Sequence, residues 1–127
     1  MLTIRKRVAV SAPPSKVFGI VDDARRLPEL FPHLEVEDVH PLPFGGHRCH
    51  CHFETAHEQL EGDVATLQEI RDRSLVDYAG DELDTLFRWT FTPREGVTEV
   101  VLDVESDAVG EQEAATALAH LKAIAEA

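Results

Sequence analysis

The sequence predicts a single domain of the α+β class, built from strands that are covered by helices. Three observations predict it. Residues 4–10 alternate apolar and polar side chains and are followed by two short helical stretches. Residues 34–105 keep an apolar period near two, typical of strands, and residues 111–127 change to the helical period of 3.6. At 127 residues, one hydrophobic core is sufficient.

The stretch Ser11–His33 predicts a strand-to-helix corner and two short helices. Pro13 and Pro14 end the strand but suit the first turn of a helix, where the missing N–H costs nothing. Asp22 or Asp23 can cap the second helix, and Pro32 ends it. The apolar stripes are Val17, Phe18 and Val21 in the first helix, and Leu27, Leu30 and Phe31 in the second.

Six further strands are predicted before the last helix, which gives about seven in all. Turn-forming residues separate them at 41–46, 72–74, 80–82 and 93–96. The predicted strands cover residues 34–39, 47–55, 59–71, 75–79, 83–92 and 98–105. Two of them place apolar or aromatic residues on one face, which we expect to point inward: Cys49, Cys51 and Phe53 with His47, and Phe87, Trp89 and Phe91.

The C-terminal segment predicts a long helix with a face rich in alanine. Seventeen residues span roughly 25 Å as a helix, enough to cross a sheet. Ser106 or Asp107 is the candidate cap. The small residues allow either close packing on the sheet or room for a ligand. The apolar stripe contains Ala114, Ala117, Leu118, Leu121, Ile124 and Ala125.

The chain is strongly acidic, with 24 acidic and 12 basic side chains and a formal net charge of −12. This charge repels phosphate backbones and anionic headgroups, so we expect no nucleic-acid partner. Two interpretations stay open: adaptation to a saline cytoplasm, where salt screens the self-repulsion, or an ordinary acidic protein. The sequence has neither an apolar run long enough for an integral membrane segment nor a signal-peptide pattern, so we expect a cytoplasmic location.

Two cysteines and several histidines form the sharpest local feature of the sequence. Cys49 and Cys51 are poorly placed for a disulfide in an extended strand, which favours a reduced compartment. With His47 they could supply soft ligands to zinc or copper, but a fourth ligand is not assignable. Alternatively, the two cysteines are simply buried as small apolar side chains. We favour this alternative and therefore predict no metal and no cofactor. On the opposite face His50 and His52 suggest either acid–base chemistry or solvated surface side chains.

Several short segments carry a resemblance to a known superfamily. They are Ala12-Pro13-Pro14, Lys16-Val17-Phe18, Leu27-Pro28-Glu29-Leu30-Phe31-Pro32, Trp89-Thr90-Phe91-Thr92-Pro93 and Gly96-Val97-Thr98-Glu99-Val100. In their order along the chain they resemble the START/Bet v1-like superfamily, also called SRPBCC or polyketide cyclase/dehydrase-like. The resemblance implies a helix-grip fold, in which an antiparallel sheet of about seven strands curves around the C-terminal helix and leaves an apolar cavity that the short helices close.

The leading functional hypothesis is a carrier or sensor that binds a small apolar or amphipathic molecule, such as a lipid, polyketide or quinone-like compound. The rival hypothesis is a cyclase or dehydratase, with Asp77, His33 and Tyr78 as candidate catalytic residues. A third is a protein-interaction module. Oligomeric state stays open between monomer and dimer. The expected cavity residues are Phe18, Leu30, Phe31, Cys49, Cys51, Phe53, Trp89, Leu118 and Leu121.

Overall fold

The computed structural model describes residues 2–43, 45–54, 59–70, 75–80, 85–106 and 109–127, with side chains described except at residues 2, 67–70, 75–77, 79 and 80. The predicted turn at residues 72–74, and Thr55, Leu83 and Asp107, lie outside these ranges. The strands are β1 (Leu2–Val10), β2 (Leu34–Pro41), β3 (His47–Glu54), β4 (Gln59–Ile70), β5 (Leu75–Gly80), β6 (Thr85–Arg94) and β7 (Val97–Ser106). The helices are α1 (Pro14–Asp22), α2 (Leu27–Leu30) and α3 (Glu111–Glu126), with a 3₁₀ turn at Ala24–Arg26.

The seven described strands form one antiparallel sheet in the order β1-β7-β6-β5-β4-β3-β2. Strands that follow one another along the chain are neighbours from β2 to β7. The first strand lies instead beside the last, pairing Val8 with Val100. The connection from β1 to β2 must therefore cross from one edge of the sheet to the other. It contains both short helices, so the topology itself places α1 and α2 against one face of the sheet.

The corner after β1 is fixed by the two prolines and by buried hydrogen bonds. Pro14 occupies the first turn of α1, and the hydroxyl of Thr98 on β7 donates to the Ala12 carbonyl at 2.7 Å. Asp23 caps the 3₁₀ turn Ala24–Arg26 rather than the second helix: its carboxylate accepts from the Arg25 N–H at 3.0 Å, and α2 follows Arg26 without a side-chain cap. Thr98 is fully buried, so this bond ties the corner to the sheet where water does not compete.

The start of α3 differs from the prediction. Gly110 is the N-cap residue, and the Glu113 carboxylate accepts the Gly110 N–H at 3.1 Å. Ser106 acts just before the helix, where its hydroxyl accepts from the Val109 N–H at 3.0 Å. Gly110 can therefore serve as the N-cap without a side chain of its own, because the Glu113 carboxylate one turn further along the chain accepts its N–H.

The alanines of α3 pack closely. Ala114 and Ala117 are fully buried, and the helix lies against β1 and α2. Lys122 donates to the Ala9 carbonyl at 2.8 Å, and His120 Nδ1 lies 3.3 Å from the Leu30 carbonyl oxygen. Of the two interpretations of these small residues, the structure supports close packing of α3 on the sheet. The unfilled space lies elsewhere between the sheet and the helices.

The predicted turn at residues 93–96 is shorter in the structure. β6 continues through Pro93, which pairs with Thr98, and the turn consists of Glu95 and Gly96, both with positive φ (29° and 86°). Such a two-residue turn matches the twist of a hairpin.

The core lies between one face of the sheet and the three helices. Its largest fully buried side chains include Trp89, Phe91, Leu102 and Leu121. The α+β class is confirmed. Among the described residues, no helix combines the length and apolar character that crossing a membrane requires.

Candidate functional site

An apolar cavity of about 60 Å³ lies between the sheet and α2. The sheet supplies its wall because inward-facing side chains alternate along the central strands, and α2 supplies its cover through Leu27. Tyr78, Thr85 and Cys51 contribute the polar atoms of an otherwise apolar lining. The lining residues are Leu27, Phe31, Leu34, Cys51, Phe53, Leu60, Val64, Tyr78, Thr85, Phe87, Trp89 and Val109.

Phe31 plugs one end of this cavity. It immediately follows α2 and is 7% exposed. Its ring lies 6.1 Å from Phe53, 5.5 Å from Phe87 and 6.4 Å from Trp89, centroid to centroid, in tilted or edge-to-face arrangements. These geometries are the favourable ones for aromatic pairs, so the ring is held in place from three sides.

Outside Phe31 the surface opens into a cleft of about 370 Å³. Phe31 and Phe53 line both the cavity and the cleft, so a rearrangement of these two rings would join the spaces. His33 is exposed at this mouth. Besides these two rings, the cleft is lined by Pro32, His33, Glu54, Gln112, Glu113 and Thr116.

Comparison with known proteins shows what this architecture resembles. No family model and no curated protein matches the chain. A solved structure from Deinococcus radiodurans matches with a TM-score of 0.76 and 17% identity, over 99% of this chain and 98% of that one. The Streptomyces aromatase/cyclase ZhuI matches with a TM-score of 0.76 and 18% identity, over 98% and 93%. The di-domain aromatase/cyclase StfQ of the steffimycin pathway matches with a TM-score of 0.72 and 14% identity, over 98% of this chain and 50% of that one.

The chain has the START/Bet v1-like helix-grip fold. The predicted resemblance is therefore confirmed at the level of the fold. Identities below 20% carry no activity from these proteins to this chain.

The helix-grip cavity contains four of the nine residues that were expected to line it, namely Phe31, Cys51, Phe53 and Trp89. The other five are buried in the packed core instead: Phe18, Leu30, Cys49, Leu118 and Leu121. The ring of Phe18 packs edge-on against Phe91, with centroids 5.8 Å apart. Because α3 packs closely on β1, it fills the space next to that strand. The cavity lies instead beside β3–β6.

Leu27, Leu34, Leu60, Val64, Thr85 and Val109 line the cavity but were not expected there, whereas Phe87 belongs to the aromatic row that was expected to point inward. Leu27 and Phe87 carried a sequence signal, as members of an apolar stripe and of the aromatic row. Leu60 and Val64 fell in a run whose two faces were not distinguishable by polarity. Alternation alone could not assign the inner face of that strand.

The three candidate catalytic residues, Asp77, His33 and Tyr78, are not seen grouped at one site in the described part of the structure. Tyr78 lines the cavity, and its hydroxyl donates to the Val21 carbonyl at 2.7 Å, which ties β5 to α1. His33 is exposed at the mouth. The backbone of Asp77 belongs to β5, whereas its side chain lies outside the described part of the chain.

Cys49 and Cys51 are both free and buried, with their Sγ atoms 3.6 Å apart. The hydrogen bond with Cys49, together with burial, raises the pKa of the Cys51 thiol well above its ordinary value. A protonated thiol is a poor nucleophile and metal ligand. Among the described residues, the ligand atoms of His47, Cys49 and Cys51 do not gather within 4.8 Å of one another.

The opposite face of the same strands carries a network of charged side chains. His50 Nδ1 lies 2.9 Å from an Asp63 oxygen, and His50 Nε2 lies 2.7 Å from Glu61. Arg48 donates to Asp63 at 2.9 Å. The hydrogen bonds to Asp63 and then Glu61 raise the pKa of His50 to about 9. The histidines predicted on the outer face are thus partners in an ion-pair network.

We expect the His50 ring to titrate near pH 9 in nuclear magnetic resonance spectra recorded with a chelator. Replacing Asp63 by asparagine should move the midpoint toward the ordinary value of about 6.5. Because the folded pKa is the higher one, the stability that this network contributes is fully present below about pH 6.5 and is lost as the pH rises through 9. A midpoint near 6.5 in the unmodified protein would contradict this account.

Proposed function

We propose that this protein binds a small amphipathic molecule, with the apolar part in the cavity and the polar part at the mouth, as a carrier or sensor. The observation that carries the proposal is the apolar cavity and its separation from the open cleft by Phe31 and Phe53. The similarity of the fold to that of aromatase/cyclases also supports this cavity as the ligand-binding site.

The size of the cavity limits the occupant. A volume of about 60 Å³ accepts a short alkyl branch or a small apolar group while the Phe31 ring stays in place. A longer chain requires the ring to turn toward the cleft. Each buried methylene contributes roughly 0.8 kcal/mol, so a tail of a few carbons offsets the loss of the ring contacts.

The mouth can orient the polar part of such a molecule. His33, Glu54, Gln112 and Thr116 offer donors and acceptors around the cleft. A ligand whose polar end is a neutral hydroxyl, carbonyl or phenol fits these groups better than a ligand with a carboxylate, because the chain carries a net charge of −12 and repels further negative charge. This charge favours a neutral polar end over a fatty-acid headgroup.

The direct test is extraction of the purified protein with organic solvent and mass spectrometry of the extract. We expect a compound with an apolar portion and a neutral polar group, present in sub-stoichiometric to stoichiometric amount. Its absence from a Val64→Phe variant, which fills the cavity, would locate it there. Equal recovery from both proteins would contradict cavity binding.

A second candidate function is cyclisation or dehydration of a reactive substrate, which the likeness to ZhuI favours. In this role Tyr78 would move a proton at the cavity wall. Its hydroxyl donates to Val21, so the structure gives it a second, purely structural role.

Replacement of Tyr78 by phenylalanine separates the two functions. The Val21 carbonyl loses its buried donor, so we expect the free energy of unfolding to fall by about 1–3 kcal/mol while ligand retention persists. Incubation with a poly-β-ketone model compound, followed by mass spectrometry for loss of water, reports catalysis. Turnover by the unmodified protein that is lost in the variant would favour the enzyme; no turnover by either favours the carrier.

A further inference from the structure

Three neighbouring strands bring histidine and carboxylate side chains together on the face of the sheet opposite the cavity. Glu37 belongs to β2, His50 and His52 to β3, and Glu61 to β4. The register places Glu37 opposite His50 and His52 opposite Glu61. β3 is paired on both sides, which fixes the backbone that carries His50 and His52, and Glu37 lies at the last regular pair of β2 before its register shifts.

The distances in this cluster suit a metal ion. One ligand atom from each of Glu37, His50 and His52 lies within 4.8 Å of the others. His52 Nε2 lies 2.9 Å from Glu37 and 3.8 Å from Glu61. An ion with tetrahedral bonds of about 2.0–2.1 Å separates its ligand atoms by about 3.3 Å, so side-chain rotations that move these atoms by at most about 1.5 Å would bring all three onto one ion.

The surroundings of His50 orient it for such a role. Asp63 bonds to Nδ1 at 2.9 Å and is itself held by Arg48 at 2.9 Å. A carboxylate on one imidazole nitrogen directs the other nitrogen to a metal and fixes the orientation of the ring. The remaining atom, Nε2, is the one that points to Glu61 at 2.7 Å. This arrangement distinguishes the cluster from a group of exposed acidic side chains.

We propose that Glu37, His50 and His52 bind a divalent transition cation such as zinc, with Glu61 as a fourth ligand and Asp63 as a positioning residue. Two imidazoles with carboxylates match the ligand preference of zinc and its neighbours over that of calcium or magnesium, which prefer oxygen alone. The ion replaces the proton shared between His50 and Glu61, because a ligating imidazole is neutral. It would link β2, at the edge of the sheet, to β3 and β4 and stabilise that edge.

The test is calorimetric titration of the full chain with zinc chloride after treatment with a chelator, in a phosphate-free buffer. We expect one ion per chain and a raised melting temperature. His52→Ala and His50→Ala should weaken binding by more than tenfold, and Asp63→Ala by about tenfold. His40→Ala, which removes an exposed histidine of β2 outside the cluster, should leave the affinity unchanged.

Two controls separate the cluster from other sources of binding. A double Cys49→Ser, Cys51→Ser variant should keep the site, and a large excess of magnesium should not displace the zinc. Unchanged affinity in His52→Ala, loss of binding in the cysteine variant, or displacement by magnesium would each overturn the proposal. Because the replaced histidines are only partly buried, circular dichroism should show the same fold in all variants.

Discussion

Replacement of Leu121 by alanine should lower the free energy of unfolding by about 2–5 kcal/mol. The side chain is fully buried at the centre of α3, where the helix lies against β1 and α2. Truncation removes three buried carbon atoms and leaves a cavity that the close-packed alanines on either side do not fill. Denaturation in urea, followed by circular dichroism, measures the change.

Leu60→Ala is the matched control, because it makes the same chemical change at a half-buried position that already borders free space. We expect it to cost less than about 1.5 kcal/mol, since little packing is lost. Equal losses of the free energy of unfolding at Leu60 and Leu121 would contradict the account, in which α3 is closely packed and β4 borders the cavity.

Replacement of Phe31 by alanine should cost about 3–5 kcal/mol and also join the cavity to the cleft. The ring is 7% exposed and contacts Phe53, Phe87 and Trp89, and each aromatic pair contributes about 0.5–1.5 kcal/mol beyond buried area. Stability is measured in urea. Quenching of Trp89 by a small brominated alcohol, used as the probe and followed by stopped-flow mixing, should become faster because the probe enters the cavity more readily.

The control for this variant is Phe53→Ala. Phe53 is half-buried and its described aromatic contact is with Phe31, so the loss should be clearly smaller. Unchanged probe entry in Phe31→Ala would show that the ring does not separate the two spaces.

The sequence predicted most of the fold because its strongest signals are local. The prolines of Ser11–His33 and the alternating aromatic row of β6 both depend on near neighbours, and both appear in the structure. Where a local signal competed with tertiary contacts, the prediction was wrong. Pro93 has the sequence character of a turn residue, but it lies in β6 and pairs with Thr98 of β7.

The site was harder to predict than the fold, because a cavity is what packing leaves unfilled. Leu118 and Leu121 have the sequence character of cavity residues, yet α3 fits β1 so closely that they join the core. Leu60 and Val64 line the cavity although β4 has no clear apolar face in the sequence. Sequence periodicity indicates which side chains point inward, but the position of the space depends on how closely each helix approaches the sheet.

The histidine network shows a similar limit. Alternation placed His50 and His52 on the outer face, which the structure bears out. Their partners Glu37, Glu61 and Asp63 come from two other strands, and only the register of the sheet brings them within hydrogen-bond distance. The register between neighbouring strands, unlike alternation within one strand, carries little signal in a single sequence.

The most direct test of the proposed function uses Trp89, the chain's single tryptophan, which is 1% exposed and lines the cavity. A brominated short-chain alcohol, whose bromine quenches tryptophan on contact, is titrated into three proteins. We predict saturable quenching in the unmodified chain and in Val36→Phe, where a half-buried valine outside the cavity lining is enlarged. In Val64→Phe we predict at least tenfold weaker quenching. Equal quenching in all three proteins, or none in the unmodified chain, would contradict the account.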